Sequence, residues 1–351
     1  MSPRARADLP DMRPSPRRFF ATILLGCAAT AILTFCSRHD GTSERRDPSP
    51  TAKRVELPRD DGPHESSLLE WWYWAGHLRT DGGRRFGFHL VFFEARPLGV
   101  PFRVTHFAIA DLQEGRFRFR VERERRPATG PRTGIELAHG DLSARAAAGK
   151  HLLAGRVEDF RLDLELAETR PPVLHHENGF IAYAFGGHAY YYSRTRMEAR
   201  GVLRVSGQEL PVSGSAWFDH QWGDMGRVFD QGWDWFGLHL DDGRDIMVFR
   251  MRVAGEERLR GGTRVPADGP AVRLSTDEIA IEPEETWKSP HTGCVYPRRW
   301  RIRARGEEFV LAPLLEDQEI PTSVPVYWEG MAEVSGAATG AAFIELNGYC
   351  R

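Results

Sequence analysis

Hydrophobic and polar residues alternate with a period of two over much of the chain beyond residue 60. Phe86, Phe88, Leu90 and Phe92 form one such run, Leu162, Leu164 and Leu166 another, and Trp300 and Ile302 a third. Phe117, Phe119 and Val121 are interleaved with Arg116, Arg118 and Arg120. Successive side chains of a strand point to opposite faces, so this pattern predicts half-buried antiparallel strands. Turn signals fall between the runs, at Thr80-Asp81-Gly82-Gly83 and at Asp241-Asp242-Gly243. Asp-Gly tolerates the positive φ angles of tight hairpins, and the second signal joins two apolar segments, 235–240 and 245–253. Long amphipathic helical patterns do not occur; only residues 144–148 suggest a short turn. The predicted fold is all-β, made of barrels or sandwiches.

At 351 residues the chain exceeds the roughly 250 residues that one core usually organises, so two domains are expected. An internal echo points the same way. Trp72-Tyr73-Trp74-Ala75-Gly76-His77-Leu78 before Asp81-Gly82 resembles Trp233-Asp234-Trp235-Phe236-Gly237-Leu238-His239-Leu240 before Asp242-Gly243. Each is an aromatic strand, a Gly and a His feeding an Asp-Gly hairpin. A boundary just after Gly223 gives domains over 61–224 and 225–351.

The N-terminal region reads as a targeting segment. Arg4, Arg6, Arg13, Arg17 and Arg18 precede an apolar run from Phe19 to Cys36, a charged region followed by a hydrophobic one. The Arg17-Arg18 pair permits twin-arginine export without requiring it. Leu24-Leu25-Gly26-Cys27 resembles a lipoprotein cleavage box, with Cys27 as the lipidation candidate. The apolar run is also long enough for an uncleaved anchor, and simple secretion is the third alternative. Residues 37–60, rich in Ser, Arg, Asp and Pro, read as a solvated tether, with folding expected to begin near Asp61. The protein is therefore expected to be exported and held at the membrane of a bacterial envelope.

Charge narrows the partners. The chain has 47 Lys and Arg against 49 Asp and Glu; without the five Arg and two Asp of residues 1–36, 42 basic residues face 47 acidic ones. A net charge near minus five argues against nucleic acid. Cys294 and Cys350 are the cysteines left after the targeting segment, and an exported protein could pair them or keep two buried thiols. No CxxC or HExxH spacing occurs, so no metal or other cofactor is expected.

The densest chemistry lies in Trp217-Phe218-Asp219-His220-Gln221-Trp222-Gly223, which sets a carboxyl and an imidazole among large rings. Glu70-Trp71-Trp72-Tyr73-Trp74 repeats the recipe, and the chain holds 10 Trp in all. An aromatic wall around Asp219 and His220 means either a site tuned by loss of water or a satisfied structural network. Neighbouring residues of a strand face opposite sides, so the two need not share a pocket. His175, His176 and Glu177 have no clustered third partner in the sequence and read as a solvated loop. Arg194 and Arg196 fit an exposed strand face, with a buried pairing of Arg196 to Glu70 or Asp219 as the alternative.

These motifs, together with Tyr190-Tyr191-Tyr192-Ser193-Arg194-Thr195-Arg196, Ser289-Pro290-His291-Thr292-Gly293 and Tyr327-Trp328-Glu329-Gly330, resemble the AttH and carotenoid 1,2-hydratase family of lipocalin-like secreted hydrolase-type proteins. The resemblance covers residues 61–351 and implies two lipocalin-like antiparallel β-barrels side by side, meeting at a cleft. It also implies an apolar or amphipathic small molecule as partner. The activity it implies is that of a hydro-lyase or hydrolase on an isoprenoid or other lipid-like substrate, with a noncatalytic lipid carrier or envelope lipoprotein as the alternative. Asp219 matches an acidic residue of the hydratases and becomes the catalytic candidate with His220. Trp72, Trp74, Tyr190, Tyr192, Trp217, Trp222, Trp233 and Trp235 are the expected substrate-binding residues. Where the hydratases carry a His and Trp pair, this chain reads Tyr190-Tyr191-Tyr192.

Overall fold

The structure is a computed structural model that describes residues 54–125, 133–225, 231–323 and 325–350. The export segment, Cys27 and most of the expected tether lie outside the described residues. Among those described, the first sheet contains β1 (Leu69–Arg79), β2 (Arg85–Ala95), β3 (Phe102–Asp111), β4 (Arg116–Arg125), β5 (Glu136–His139), β6 (Leu142–Ala147), β7 (Lys150–Val157), β8 (Phe160–Glu168), β9 (Val173–Leu174), β10 (Phe180–Ala182), β11 (His188–Val205) and β12 (Gln208–Asp224). The second contains β13 (Gln231–Leu240), β14 (Asp245–Val253), β15 (Glu256–Val265), β16 (Val272–Leu274), β17 (Ile279–Lys288), β18 (Val295–Ala304), β19 (Glu307–Pro313), β20 (Glu319–Ile320), β21 (Tyr327–Gly336) and β22 (Gly340–Asn347). The all-β expectation holds; the α-helix described is one turn, His176–Gly179.

The first sheet runs β4-β3-β2-β1-β12-β11-β8-β7-β6-β5, with β9 and β10 on β11, and curls into a nearly closed barrel. Side chains span its seam. Arg116 reaches Asp159 at 2.6 Å, Arg120 reaches Asp141 at 2.5 Å, and His139 meets Thr105 at 3.0 Å. The second sheet, β16-β15-β14-β13-β22-β21-β19-β18-β17, forms a half-barrel. Both expected hairpins form, closed by Thr80 N to Arg84 O at 3.0 Å and Leu240 N to Arg244 O at 2.9 Å. Gly83 and Gly243 take φ of 84° and 87°, where a side chain would be strained. The internal echo marks equivalent strands: β1 lies between β2 and β12, and β13 between β14 and β22, each beside its hairpin partner and the last strand of its sheet.

Three apolar clusters follow from strand alternation. Trp72, Trp74, Phe88 and Phe218 fill the first barrel, and Phe236, Leu238, Trp300 and Phe309 fill the second. Tyr73, Ala75, Val91, Trp217, Trp235, Met331 and Phe343 form a third cluster where the outer faces of the two sheets meet. Both faces of β1 are thus buried. Contact there is close enough that a Cβ on Gly87 would lie 2.3 Å from Met331 Cε. A register shift between Arg194 and Met197 in β11 accompanies a polar clamp between the sheets. Thr195 Oγ1 donates to Asp245 at 2.9 Å, and Arg196 Nη2 donates to the same carboxylate at 2.6 Å.

Several expectations change. Folding begins before Asp61: Val55 is buried in the first barrel's core and its N–H bonds Asn178 O at 3.1 Å. Val55 and Leu57, which packs against the same core, are too short an apolar run in a polar segment to stand out as an element. Residues 142–147 are strand rather than turn. Arg196 pairs with Asp245, while Glu70 and Asp219 find other partners. Cys294 and Cys350 form a disulfide, their Cα atoms 5.1 Å apart. Among the described residues no helix is long and apolar enough to cross a membrane.

Candidate functional site

A cleft of about 250 Å³ lies between the sheets, lined by β1, β2, β3 and β12 on one side and β13, β14, β21 and β22 on the other. Its volume lies just below the range of about 300–1,000 Å³ usual for small-molecule sites. Trp71, Phe93, Trp235, Phe249 and Met251 supply apolar wall. Asp219, Glu329, Glu345, Tyr73, His106 and Asn347 are among its polar groups.

Pairing explains which residues arrive there. Tyr73 is the cross-strand partner of Asp219, and Trp72 that of His220. Cross-strand partners share a face, so Tyr73 and Asp219 look outward into the cleft while Trp72 and His220 look into the first barrel. Of the expected substrate-binding residues, Trp233 and Trp235 line the cleft. Trp217 lies in the same intersheet cluster and supports Asp219 from behind. Trp72, Trp74, Tyr192 and Trp222 belong to the first barrel's interior, and Tyr190 packs against it. The expectation that all eight share one cleft is corrected by the parity of β1, β11 and β12.

His220 also sits outside the cleft. Its Nε2 meets Glu70 Oε1 at 2.9 Å, its Nδ1 meets Tyr192 Oη at 3.3 Å, and its ring stacks on Trp72 with centroids 4.7 Å apart. Burial lowers its pKa, which keeps it neutral. Burial opposes ionisation of Glu70, but bonds from His220 and His64 hold its carboxyl below the ordinary value. His64, Glu70 and His220 bring together a donor set that a metal could use. The two imidazoles both meet one oxygen of Glu70, at 2.8 and 2.9 Å.

Asp219 is buried at the cleft wall, 5% exposed. Its Oδ1 accepts from Trp217 Nε1 at 2.6 Å and from Ser193 Oγ, and its Oδ2 accepts from Tyr191 Oη at 2.8 Å. Burial pushes its carboxyl up to about 6, although all three bonds favour the ionised form. The chain of contacts continues outward. Ser193 meets His175 Nε2 at 2.7 Å, His175 Nδ1 meets Thr263 at 2.8 Å, and Trp235 Nε1 donates to Tyr191 at 3.1 Å. Burial pushes His175 down to about 3. The expected solvated loop at His175 is therefore a buried link from Asp219 to the second sheet.

Sequence reasoning missed a second acidic unit. Glu329 and Glu345 are direct cross-strand partners on β21 and β22, and both line the cleft. Tyr73 Oη donates to Glu329 at 2.5 Å, and Trp233 Nε1 donates to Glu345 at 3.0 Å. Burial, with the neighbouring Glu345, pushes Glu329 well above the usual carboxylate range; burial pushes Glu345 up to about 7. Adjacent buried carboxyls resist double ionisation, so the pair keeps a proton near neutral pH. The Tyr327-Trp328-Glu329-Gly330 motif was the available signal for Glu329. Glu345 had none, because its burial depends on the partner sheet.

Two lipocalin-like β-barrels enclosing a small, aromatic, acidic cleft define the class of protein. The chain belongs to the AttH-like family, whose profile matches residues 48–349. It is similar in structure to an AttH candidate from Nitrosomonas europaea, with 29% identity and a TM-score of 0.80 over 87% of this chain and 100% of that one. Kievitone hydratase from Nectria haematococca has the same fold, with 17% identity and a TM-score of 0.71 over 85% and 94% of the two chains. CghA, solved with Sch210972, is more distant, at 13% identity and a TM-score of 0.54 over 81% and 89%. No curated protein sequence matches.

Proposed function

We propose that this protein is a hydratase-type enzyme that adds water to, or removes it from, a carbon–carbon double bond of an isoprenoid or other lipid-like small molecule, with Asp219 as proton donor. The observation that carries this reading is a carboxyl lifted by burial to about 6 in the wall of an aromatic cleft. Protonating a branched alkene creates a tertiary carbocation. The donor must therefore be a protonated acid, and its surroundings must tolerate a cation. The aromatic rings of Trp71, Tyr73 and Trp235, which line the cleft, meet the second need.

In the hydration direction the Asp219 proton and the alkene π pair form the new C–H bond. Water then forms the C–O bond, and its surplus proton passes to an ionised carboxylate of the Glu329 and Glu345 pair. Exchange with solvent returns a proton to Asp219. Kievitone hydratase supports the reaction class by analogy of fold, and the Asp219 geometry supports the chemistry in this chain. The proposal includes export and membrane tethering through residues 1–36; the Cys294–Cys350 disulfide supports an oxidising compartment.

The test is incubation of the purified protein with a panel of isoprenoid alkenes in oxygen-18 water. A labelled tertiary alcohol is expected, with none from Asp219→Asn. Binding of panel members with no label incorporated into any of them would make the cleft that of a carrier.

A further inference from the structure

We infer that the end of the cleft formed by His106 and Asn347 is an anchoring subsite for a hydroxyl group, so that the ligand is an apolar molecule bearing an alcohol or phenol rather than a bare hydrocarbon. This rests on reading the cleft as a small-molecule site. Both residues line it, and both are at least nine-tenths buried, 5% and 1% exposed. Yet His106 Nε2 and the Asn347 amide oxygen have no hydrogen-bond partner among the described residues. Buried polar atoms left unmade are costly, and a native structure tolerates them where something else supplies the partner.

The two residues are linked through Tyr327. Asn347 is the direct cross-strand partner of Tyr327, and Tyr327 Oη meets His106 Nδ1 at 2.6 Å with the rings stacked. Their hydrogen-bonding senses are complementary. Burial drives His106 down to about 3, so the imidazole is neutral and carries one N–H. Among the described residues Tyr327 Oη has His106 Nδ1 as its hydrogen-bond partner. A phenol donating to Nδ1 places the imidazole hydrogen on Nε2, which makes that orphaned nitrogen a donor. The Asn347 oxygen is an acceptor. A hydroxyl both accepts and donates, so one such group answers both atoms, whereas a carbonyl answers the donor alone. A carboxylate is disfavoured by the nearby acids: Glu345 lies two residues from Asn347 on β22, and Glu329 two from Tyr327 on β21.

The apolar remainder of the ligand then lies along Trp71, Phe93 and Met251. An anchored oxygen also fixes the molecule's register in the cleft, which bears on which of its double bonds faces Asp219.

The experiment is equilibrium binding of geraniol and of myrcene, which share a carbon skeleton and differ by one water, geraniol carrying a hydroxyl where myrcene has a further double bond, read by tryptophan fluorescence on the full chain. The wild-type protein is expected to bind geraniol at least about tenfold more tightly, against the hydrocarbon's greater drive to leave water. Asn347→Leu, nearly isosteric, and His106→Phe should each erase most of that preference while myrcene affinity stays within about threefold. Should His106→Phe fail to fold, Asn347→Leu decides alone. Equal binding of the two probes by the wild type, or a preference undiminished in Asn347→Leu, overturns the subsite. Failure of the folded protein to bind either probe overturns the small-molecule reading of the cleft and the subsite with it.

Discussion

Replacing Asp219 with Asn should change how stability depends on pH more than it changes stability itself. The carboxyl is buried, and its pKa rises from 3.8 in the open chain to about 6 in the fold. A raised carboxyl holds its proton to higher pH when folded than when unfolded. Its contribution is therefore fully present below pH 4, is lost as pH rises through about 6, and stays lost above. The interval corresponds to roughly 3 kcal/mol. Asn retains an oxygen for Trp217 and Ser193 but turns an NH2 group toward Tyr191 Oη, where the carboxylate accepted at 2.8 Å. That mismatch costs about 1–3 kcal/mol at any pH. The variant should thus be less stable than wild type by that amount at pH 4, and equal to it or slightly more stable at pH 8. Urea denaturation followed by tryptophan fluorescence from pH 4 to 8 measures the difference. A constant difference across that range, or a deficit at pH 8 larger than at pH 4, would mean that Asp219 is a low-pKa bracing charge and would refute the reasoning.

Two further predictions concern the frame that holds the cleft. The Cys294–Cys350 bond closes a loop with a sequence separation of 56, so a Cys294→Ser, Cys350→Ser variant should lose about 4 kcal/mol, measured by denaturation against the oxidised protein. An unchanged midpoint would remove the disulfide from the stability argument. Gly87→Ala sets a methyl 2.3 Å from Met331 Cε at the contact between the sheets, which should cost about 1–3 kcal/mol. A thermal unfolding midpoint equal to wild type would show that the Met331 side chain moves aside without penalty.

How far the sequence revealed this molecule depended on what sat behind each strand. The alternation of Phe86, Phe88 and Leu90 and the two Asp-Gly turns identified real strands and hairpins, because local sterics and one buried face govern both. The site was harder. Both faces of β1 and β12 are covered, one by the barrel interior and one by the other sheet, so Trp72 and Tyr73 looked equally apolar while facing opposite ways. Counting parity from Asp219 would have placed Gln221 in the cleft and Trp222 and His220 out of it, while Tyr73 needed the register of β1 on β12. Glu345 and His175 were illegible for another reason: Glu345 faces its neighbour Glu329 from β22, and His175 is buried between Ser193 and Thr263. Those contacts exist only after distant segments meet.

The central claim is that Asp219 delivers a proton to a ligand in the intersheet cleft. Its most direct test compares turnover and affinity in wild type and Asp219→Asn on one substrate, with the folded fraction measured in the same samples. Turnover should fall by about a hundredfold or more while affinity stays within about threefold, because the proton is needed in the transition state and not for binding. Activity that falls only in proportion to the folded fraction, or affinity that falls together with activity, would contradict the claim and leave Asp219 as part of the scaffold.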